Sequence, residues 1–419
     1  MDIMRFIADF HLHSKYSRAT SKNMEVETLG RWAKKKGITL LGTGDFTHPT
    51  YYAELRMKLV PSSNGLFHLK KGDEGVRYIL TAEVSNIYSQ KGKVRRIHNL
   101  IFAPSFEVVE KINSKLGNLG KLSSDGRPIF GFPAKELVKM ILDISEDCLI
   151  VPAHAWTPWF SIFGAHSGFD SIKECFEEMT PHIRAIETGL SSDPEMNWRL
   201  SSLDTITLIS NSDAHSPNRL GREANGFDCE LNYQEVVDVL RKKDRKKFLF
   251  TIEFFPEEGK YHYDGHRQCG VIFSPPETRS HQYLCPRCQK KLTVGVMHRV
   301  EELSDRQEGF IPKNAIPSIH LIPLEEIIAG GLGVRVGTKA VEAEYDRLVE
   351  RGGSEFHILL YAAPDELASF VPPRVLEGII RMRQGKVSII PGHDGVYGKI
   401  NLFPEHKETG QLKEQLKLF

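Results

Sequence analysis

The stretch Phe6-Ile7-Ala8-Asp9-Phe10-His11-Leu12-His13 governs how the rest of the chain is read. An apolar, β-prone run ends in two histidines at i and i+2. On an extended backbone, residues two apart point to the same side, so both imidazoles can face one ion. The periodicity then predicts an amphipathic helix over 23–36 and a second short apolar run over 39–42. The alternation continues to about residue 250, with strands expected over 78–84, 99–103, 148–153, 185–187 and 207–210. Helices are expected between them, over 105–116, 134–144, 171–179 and 233–241. Strands alternating with helices imply an α/β fold of parallel βα units, which can close into a barrel or remain an open sheet.

The later strands repeat the chemistry of the first. The second leads into Gly44-Asp45-Phe46-Thr47-His48, supplying Asp45 and His48. The third supplies Glu83, the fourth begins at His98, the fifth ends in His154, and the last ends in Asp213 and His215. In a parallel barrel the C-terminal strand ends share one face, so six distant signals become one cluster. Imidazoles mixed with carboxylates suit zinc, manganese or iron, and magnesium less naturally. Two or three such divalent ions, bridged by carboxylates, suit phosphoester hydrolysis by activated water. Asp213, Glu83 and His154 are the candidate catalytic residues within this set. No serine or cysteine nucleophile motif and no glycine-rich phosphate loop competes.

Composition narrows the class further. The 419 residues are 40% hydrophobic and 26% charged, ordinary globular values for a chain too long for one small core. No run approaches the roughly 18–20 apolar residues of a membrane span, and the start lacks the pattern of a secretory leader. A cytoplasmic protein is expected. The net charge of +1 excludes a chain that is basic overall. Nucleic-acid contact would have to come from local runs such as 91–96 and 241–247, which also read as solvated loop or helix faces.

Around residues 256–260 the pattern breaks. His266-Arg267-Gln268-Cys269 and Cys285-Pro286-Arg287-Cys288 then form two ligand-x-x-ligand knuckles, enough for a closed tetrahedral structural zinc site. His262 and His281 are nearby alternatives to His266. The expected division is 1–250 for the metallo-phosphoesterase part, 251–300 for the zinc module and 301–419 for a small C-terminal α/β region. That region should hold helices over 321–329 and 373–383, strands over 356–361 and 388–390, and a solvated tail over 405–419.

The histidine and carboxylate pattern resembles the PHP (polymerase and histidinol phosphatase) family over about residues 5–250. The resemblance implies a distorted seven-stranded (β/α) barrel with a two- or three-metal site. His11 and His13 match its opening pair, Glu83 its bridging carboxylate, His98 and His154 its middle histidines, and Asp213 and His215 its closing pair. The family's second motif reads Asp-His, whereas here Phe46 follows Asp45 and the nearest histidine is His48. The order of PHP part, zinc ribbon and Pro391-Gly392-His393-Asp394-Gly395 further resembles the endonuclease Q family. That implies a repair endonuclease cutting double- or single-stranded DNA on the 5′ side of deaminated bases (uracil, hypoxanthine, xanthine) or abasic sites. Trp156 and Trp159, directly after His154, and Arg199, Arg219 and Arg222 are the candidate DNA contacts, with 301–419 also expected against DNA. A PHP-type phosphatase acting on a small phosphate ester is the alternative, but it would not need the zinc ribbon or the extra C-terminal residues.

Overall fold

In the computed structural model, which describes residues 4–71 and 75–403, the opening apolar run forms the strand Met4–Asp9. The tail expected over 405–419 lies outside the described residues. The chain divides into two compact units. The first comprises the stretch up to Lys34, Ile38–Thr251 and Leu303–Pro317; the second comprises Lys35–Gly37, Ile252–Glu302 and the chain from Ser318 onward.

In the first unit, Met4–Asp9 runs antiparallel to Ala224–Cys229 and parallel to Leu40–Gly42. Leu40–Gly42 is in turn parallel to the long strand Arg77–Gln90. That strand turns back at Lys91-Gly92 into Lys93–Ala103, which pairs antiparallel with Leu149–Pro152. Ala185–Glu187 and Thr207–Ile209 form a separate parallel pair.

One expectation is corrected here, and the closure of the barrel is not seen as a continuous ladder. The pairing is mixed, not parallel throughout, because residues 91–96 form a hairpin turn and strand. Lys91 and Gly92 have φ of 50° and 75°, the left-handed pair that a tight two-residue hairpin turn requires. No closed sheet is found among the described residues. The ladder stops between Leu149–Pro152 and Ala185–Glu187, and between Thr207–Ile209 and Met4–Asp9. Irregular links cross these gaps, among them Ala155 N donating to Glu187 O at 2.8 Å and Leu12 bridging Ala214.

Alternation on the first strand sets the core. Phe6 stacks on Phe227 at 5.3 Å, Phe227 stacks on Phe248 at 4.9 Å, and Phe10 meets Phe102 edge-on at 5.2 Å. Each fully buried ring of this kind contributes roughly 1.5–3 kcal/mol. The helix Phe106–Gly117 starts where Ser105 Oγ accepts from Val108 N at 3.3 Å, and its stripe Phe106, Val109, Ile112 and Leu116 is buried. Tyr233–Lys242 is capped by Asn232 in the same way and buries Tyr233, Val236, Val237, Val239 and Leu240.

In the second unit, the antiparallel hairpin Asp264–His266/Val271–Phe273 carries the cysteine module, with Val271, Cys285 and Leu292 as its own small core. The helices Leu324–Leu332, Lys339–Gly352 and Pro373–Arg383 follow, then the antiparallel pair Ser388–Ile390/Lys399–Asn401. The strand expected over 356–361 is instead helical at His357–Tyr361, with Ile358, Leu359 and Leu360 buried. A short apolar run does not separate a strand from a buried helical turn. No helix among the described residues is long and apolar enough to cross a membrane.

Candidate metal centre

Glu83 lies inside the long strand Arg77–Gln90, fully buried, and its two oxygens face different partners. Oε2 is 3.3 Å from His13 Nε2 and 3.6 Å from His11 Nε2. Oε1 is 2.7 Å from His98 Nδ1 and 3.0 Å from His154 Nε2. His98 is delivered by the neighbouring strand, directly across the hairpin, where Ser85 opposes it. Asp213 Oδ1 comes within 3.2 Å of His13 Nε2, and His215 Nδ1 within 3.6 Å of the same oxygen. Three groups with metal-ligand spacing result: His11, His13 and Glu83; Glu83, His98 and His154; His13, Asp213 and His215. Glu83 links the first two and His13 links the first and third.

Hydrogen bonds behind the histidines aim them. His11 Nδ1 is 2.9 Å from Glu187 Oε2, and His13 Nδ1 is 3.0 Å from Asp45 Oδ1. A carboxylate at Nδ1 holds the proton there and leaves the Nε2 lone pair for a cation. His154 Nδ1 meets Thr157 Oγ1 at 3.1 Å, which turns its Nε2 toward Glu83. The fit to metal ions is testable on the orphaned atoms. His11 Nε2, His13 Nε2 and Asp213 Oδ1 are buried without a hydrogen-bond partner. Leaving such atoms unsatisfied costs about 1–3 kcal/mol each, and one cation among them removes that cost. The donor set therefore fits divalent ions.

Burial would lower His11 and His13, but Glu187, Glu83 and Asp45 beside them raise both well above the ordinary imidazole value, so a cation at their Nε2 atoms would take the place of a proton. Burial would raise the Glu83 carboxyl, yet His98, Arg127 and His11 hold it well below the ordinary carboxylate range. Burial also opposes ionisation of Asp213, but His13 and His11 keep it below its usual value. Burial pushes His98 down to about 4 against the opposing pull of Glu83. Asp45, His154 and Asp213 have φ of 45°, 31° and 45°, left-handed values uncommon for residues bearing a side chain.

Not every expected ligand joins the cluster. Asp45 directs Oδ1 to His13 and Oδ2 to Ser14 N at 2.6 Å and Ser17 Oγ at 2.9 Å, so it orients a ligand. His48 caps the helix Pro49–Lys58 and stacks on Tyr16 at 4.4 Å. Of the expected DNA contacts, Trp156 is 1% exposed and donates to Asn197 Oδ1 at 2.8 Å, a core position. Trp159 is 43% exposed and stacks on His166 at 4.4 Å. Arg222 donates to Ser212 O at 2.8 Å and Asp213 O at 3.3 Å, bracing the ligand loop. Arg199 is buried and donates to Ser304 Oγ at 3.2 Å, and Arg219 is half-buried.

In the second unit, the ligand atoms of His266, Cys269, Cys285 and Cys288 lie within 4.8 Å of one another, a second group that could hold a metal ion. The knuckle turn is tied by Gln289 N to Cys285 O and Cys285 N to Lys290 O, both 2.8 Å. Burial opposes ionisation of Cys285, but the amides of Arg287 and Cys288 pull its thiol below the ordinary value.

This arrangement has close counterparts among solved proteins. The lesion-specific endonuclease PfuEndoQ from Pyrococcus furiosus matches with a TM-score of 0.85 and 32% identity, covering 97% of this chain and 98% of that one. The chain belongs to the endonuclease Q family. An endonuclease Q complex with a 27-mer duplex bearing an abasic lesion at the active site matches with a TM-score of 0.83 and 33% identity over 99% of both chains. The uncharacterized protein MJ0043 of Methanocaldococcus jannaschii is 34% identical over 280 residues, 64% of this chain and 34% of that protein. The matched part is thus about a third of MJ0043's length. Residues 323–386 match the MJ0043 C-terminal domain family.

Sequence reading missed three participants of the endonuclease Q-like site: Glu187, Asn211 and Arg127. Glu187 ends a strand in an acidic residue, the same signal that marked the others. Asn211 Nδ2 donates to Glu187 Oε2 at 3.0 Å. Arg127, in the turn Asp125-Gly126-Arg127-Pro128, carries no such signal, yet its Nη1 is 2.9 Å from Glu83 Oε2.

Proposed function

We propose that this member of the endonuclease Q family is a DNA repair endonuclease. Its reaction is hydrolysis of the phosphodiester on the 5′ side of a deaminated base (uracil, hypoxanthine or xanthine) or an abasic site. The observation that carries the reading is Glu83, whose two oxygens face two separate histidine pairs. It stands in a chain that matches, over nearly its whole length, a lesion-specific endonuclease and an endonuclease bound to an abasic duplex.

His11, His13, Glu83, His98, His154, Asp213 and His215 would hold two or three divalent ions, zinc, manganese or magnesium. When bound, such ions supply Lewis acidity and an activated water for phosphodiester hydrolysis. Glu187 and Asp45 keep the histidine lone pairs turned inward, and Arg222 holds the loop that carries Asp213. Trp159 offers an exposed ring beside the site, suited to stack on a displaced base or its neighbour. His266, Cys269, Cys285 and Cys288 hold structural zinc as a zinc ribbon. Residues 1–250 form a distorted seven-stranded PHP barrel whose ladder is interrupted in two places, followed by the ribbon over 251–300. The region 301–419 lies against DNA, in a cytoplasmic enzyme.

The test uses end-labelled duplexes identical except for one uracil, hypoxanthine, abasic site or normal base, with each metal in turn. A single metal-dependent nick on the 5′ side of the lesion, absent from the normal duplex, is expected. Intact duplexes alongside phosphate release from small esters would refute the reading in favour of a phosphatase.

A further inference from the structure

We propose that Arg127 is the residue that grips the scissile phosphate at the mouth of the histidine–carboxylate centre. The proposal deepens the nuclease reading and rests on it only for the identity of the diester.

The centre has a closed floor and an open mouth. The side chains of His11, His13 and Glu83 are at most 1% exposed, whereas those of Asp213, Arg127 and His215 are 27%, 28% and 34% exposed. These three are the members through which the cluster meets solvent. Two of them are metal-ligand types, and the third is a cation. Arg127 Nη1 is 2.9 Å from Glu83 Oε2, which is 3.3 Å from His13 Nε2; that nitrogen is 3.2 Å from Asp213 Oδ1, itself 3.6 Å from His215 Nδ1, so the three border one cluster.

The guanidinium is presented by a braced loop. Gly126 N donates to Tyr16 O at 3.1 Å, Thr47 Oγ1 donates to Gly126 O at 3.1 Å, and Ser85 N donates to Pro128 O at 3.0 Å. Arg127 N itself donates to Asp125 Oδ1 at 3.2 Å. A Cβ at Gly126 would collide with Ser17 Oγ and Asp45 Oδ2, so only glycine lets the loop lie this close to the carboxylate behind His13. The register of Arg127 over the centre is therefore fixed before substrate arrives.

Its donors are also available. Among the described residues the guanidinium donates to Glu83 alone, through Nη1. The group has five N–H donors in a planar fork that matches two oxygens of a phosphate. Arg199 and Arg222, expected from the sequence to touch phosphate, spend donors on Ser304 Oγ and on the Ser212 and Asp213 carbonyls. Charge-assisted bonds from a fixed guanidinium would hold a non-bridging oxygen and counter the charge that grows on it during in-line attack.

A purely structural role, bracing Glu83, is separable by experiment. The variants are Arg127→Ala and Arg127→Lys, the second keeping the charge should the first fold poorly. Inorganic phosphate binding to the metal-loaded protein is measured by calorimetry, metal midpoints by titration, and single-turnover nicking on the lesion duplex. Arg127→Ala should weaken phosphate binding at least tenfold and slow nicking by roughly 100- to 1000-fold, with metal midpoints within about threefold of the parent. Arg127→Lys should recover only part of both, and added guanidinium should partly rescue Arg127→Ala. Unchanged phosphate affinity, or losses that vanish with excess metal, would overturn the proposal. If the parent protein binds phosphate through Arg127 but nicks no duplex, the nuclease reading fails and the arginine assignment stands. If the parent nicks and Arg127→Ala nicks equally fast, the arginine assignment alone falls.

Discussion

Replacing Glu187 by glutamine isolates what the carboxylate behind His11 contributes. Glu187 is fully buried and accepts from His11 Nδ1 at 3.0 and 2.9 Å, from His154 N at 3.1 Å and from Asn211 Nδ2 at 3.0 Å. All of its partners are donors. A glutamine keeps the shape but must turn an NH2 group toward one of them. Facing Oε1's partners, the amide would oppose the His154 N–H; facing Oε2's, it would oppose Asn211 Nδ2. Asn211 cannot flip to relieve this, because its Oδ1 already accepts from Phe10 N at 2.9 Å and Asn225 Nδ2 at 3.1 Å. One buried donor is therefore left unpaired, at a cost of about 1–3 kcal/mol. His11 also loses the anion that fixes its tautomer and raises its basicity, and such partners are typically worth about 10- to 100-fold in metal affinity. The assay is competition with a chromophoric chelator, together with nicking rate against metal concentration. The metal midpoint should rise by that factor, while the rate at saturating metal stays within a few-fold. A folded Glu187→Gln protein with an unchanged midpoint would refute the argument that Glu187 sets the lone pair of His11.

Other expected outcomes follow from burial and charge. Trp159→Ala should weaken binding of the lesion duplex by about 1–3 kcal/mol, read by fluorescence anisotropy, with no change in the denaturant midpoint. Trp156→Ala should do the reverse, costing about 3–5 kcal/mol of stability because the ring is in the core. Cys285→Ser should lower the zinc-to-protein ratio and remove several of the roughly 10–16 kcal/mol that structural zinc supplies in small modules, seen as an earlier unfolding transition. Lys243→Gly should stabilise the fold. Lys243 caps the helix Tyr233–Lys242 with φ of 53°, and burial lowers its ammonium to about 8. Below that pH the folded chain holds a charge that the unfolded chain hydrates better. The gain is therefore largest below pH 8 and shrinks as pH rises toward the ordinary value of 10.5, where the roughly 1 kcal/mol from the relieved backbone is offset by loss of the bond from Lys243 Nζ to Asp204 O at 2.8 Å. Equal gains at pH 7 and pH 10.5 would contradict the charge argument.

Most strands, and most members of the histidine–carboxylate cluster, were legible in the sequence because each combines a periodic apolar run with an end rich in imidazole or carboxylate. The strand Ala185–Glu187 and the helices Ala134–Ile144 and Pro373–Arg383 fall where periodicity places them. Ala224–Cys229 and Phe248–Glu253 did not announce themselves. The first carries Asn225, Gly226 and Asp228 in its run, and its identity as a strand comes from pairing with Met4–Asp9 across the whole unit. The same limit applies to the site. Asp45, Glu187 and Glu83 are chemically alike and all buried, yet only Glu83 meets the inward faces of two histidine pairs. Residue type and spacing locate such carboxylates, but distances of a few ångströms decide which faces the ion and which stands behind a histidine. Arg127 was invisible for a different reason: its role depends on where a turn lies in space, and nothing in Asp125-Gly126-Arg127-Pro128 encodes that locally.

The strained turns explain how the centre stays assembled without a continuous ladder beneath it. Asp45, His154 and Asp213 each leave a strand end in a left-handed conformation, which costs of order 1–3 kcal/mol per residue. Each is tied by bonds that exist only in that conformation's neighbourhood. Asp45 accepts from Ser14 N, His154 N donates to Glu187 Oε1, and the carbonyls of Ser212 and Asp213 accept from Arg222. The second of these ties crosses a gap in the sheet, between Leu149–Pro152 and Ala185–Glu187, so a carboxylate and a turn amide replace the missing ladder there. A regular strand would carry its side chains alternately inward and outward and could not place both His154 and the Glu187-bound amide on the same centre. The gaps in the sheet and the convergence of the ligands are thus one feature: the backbone gives up regular pairing where it must turn several donors onto one point.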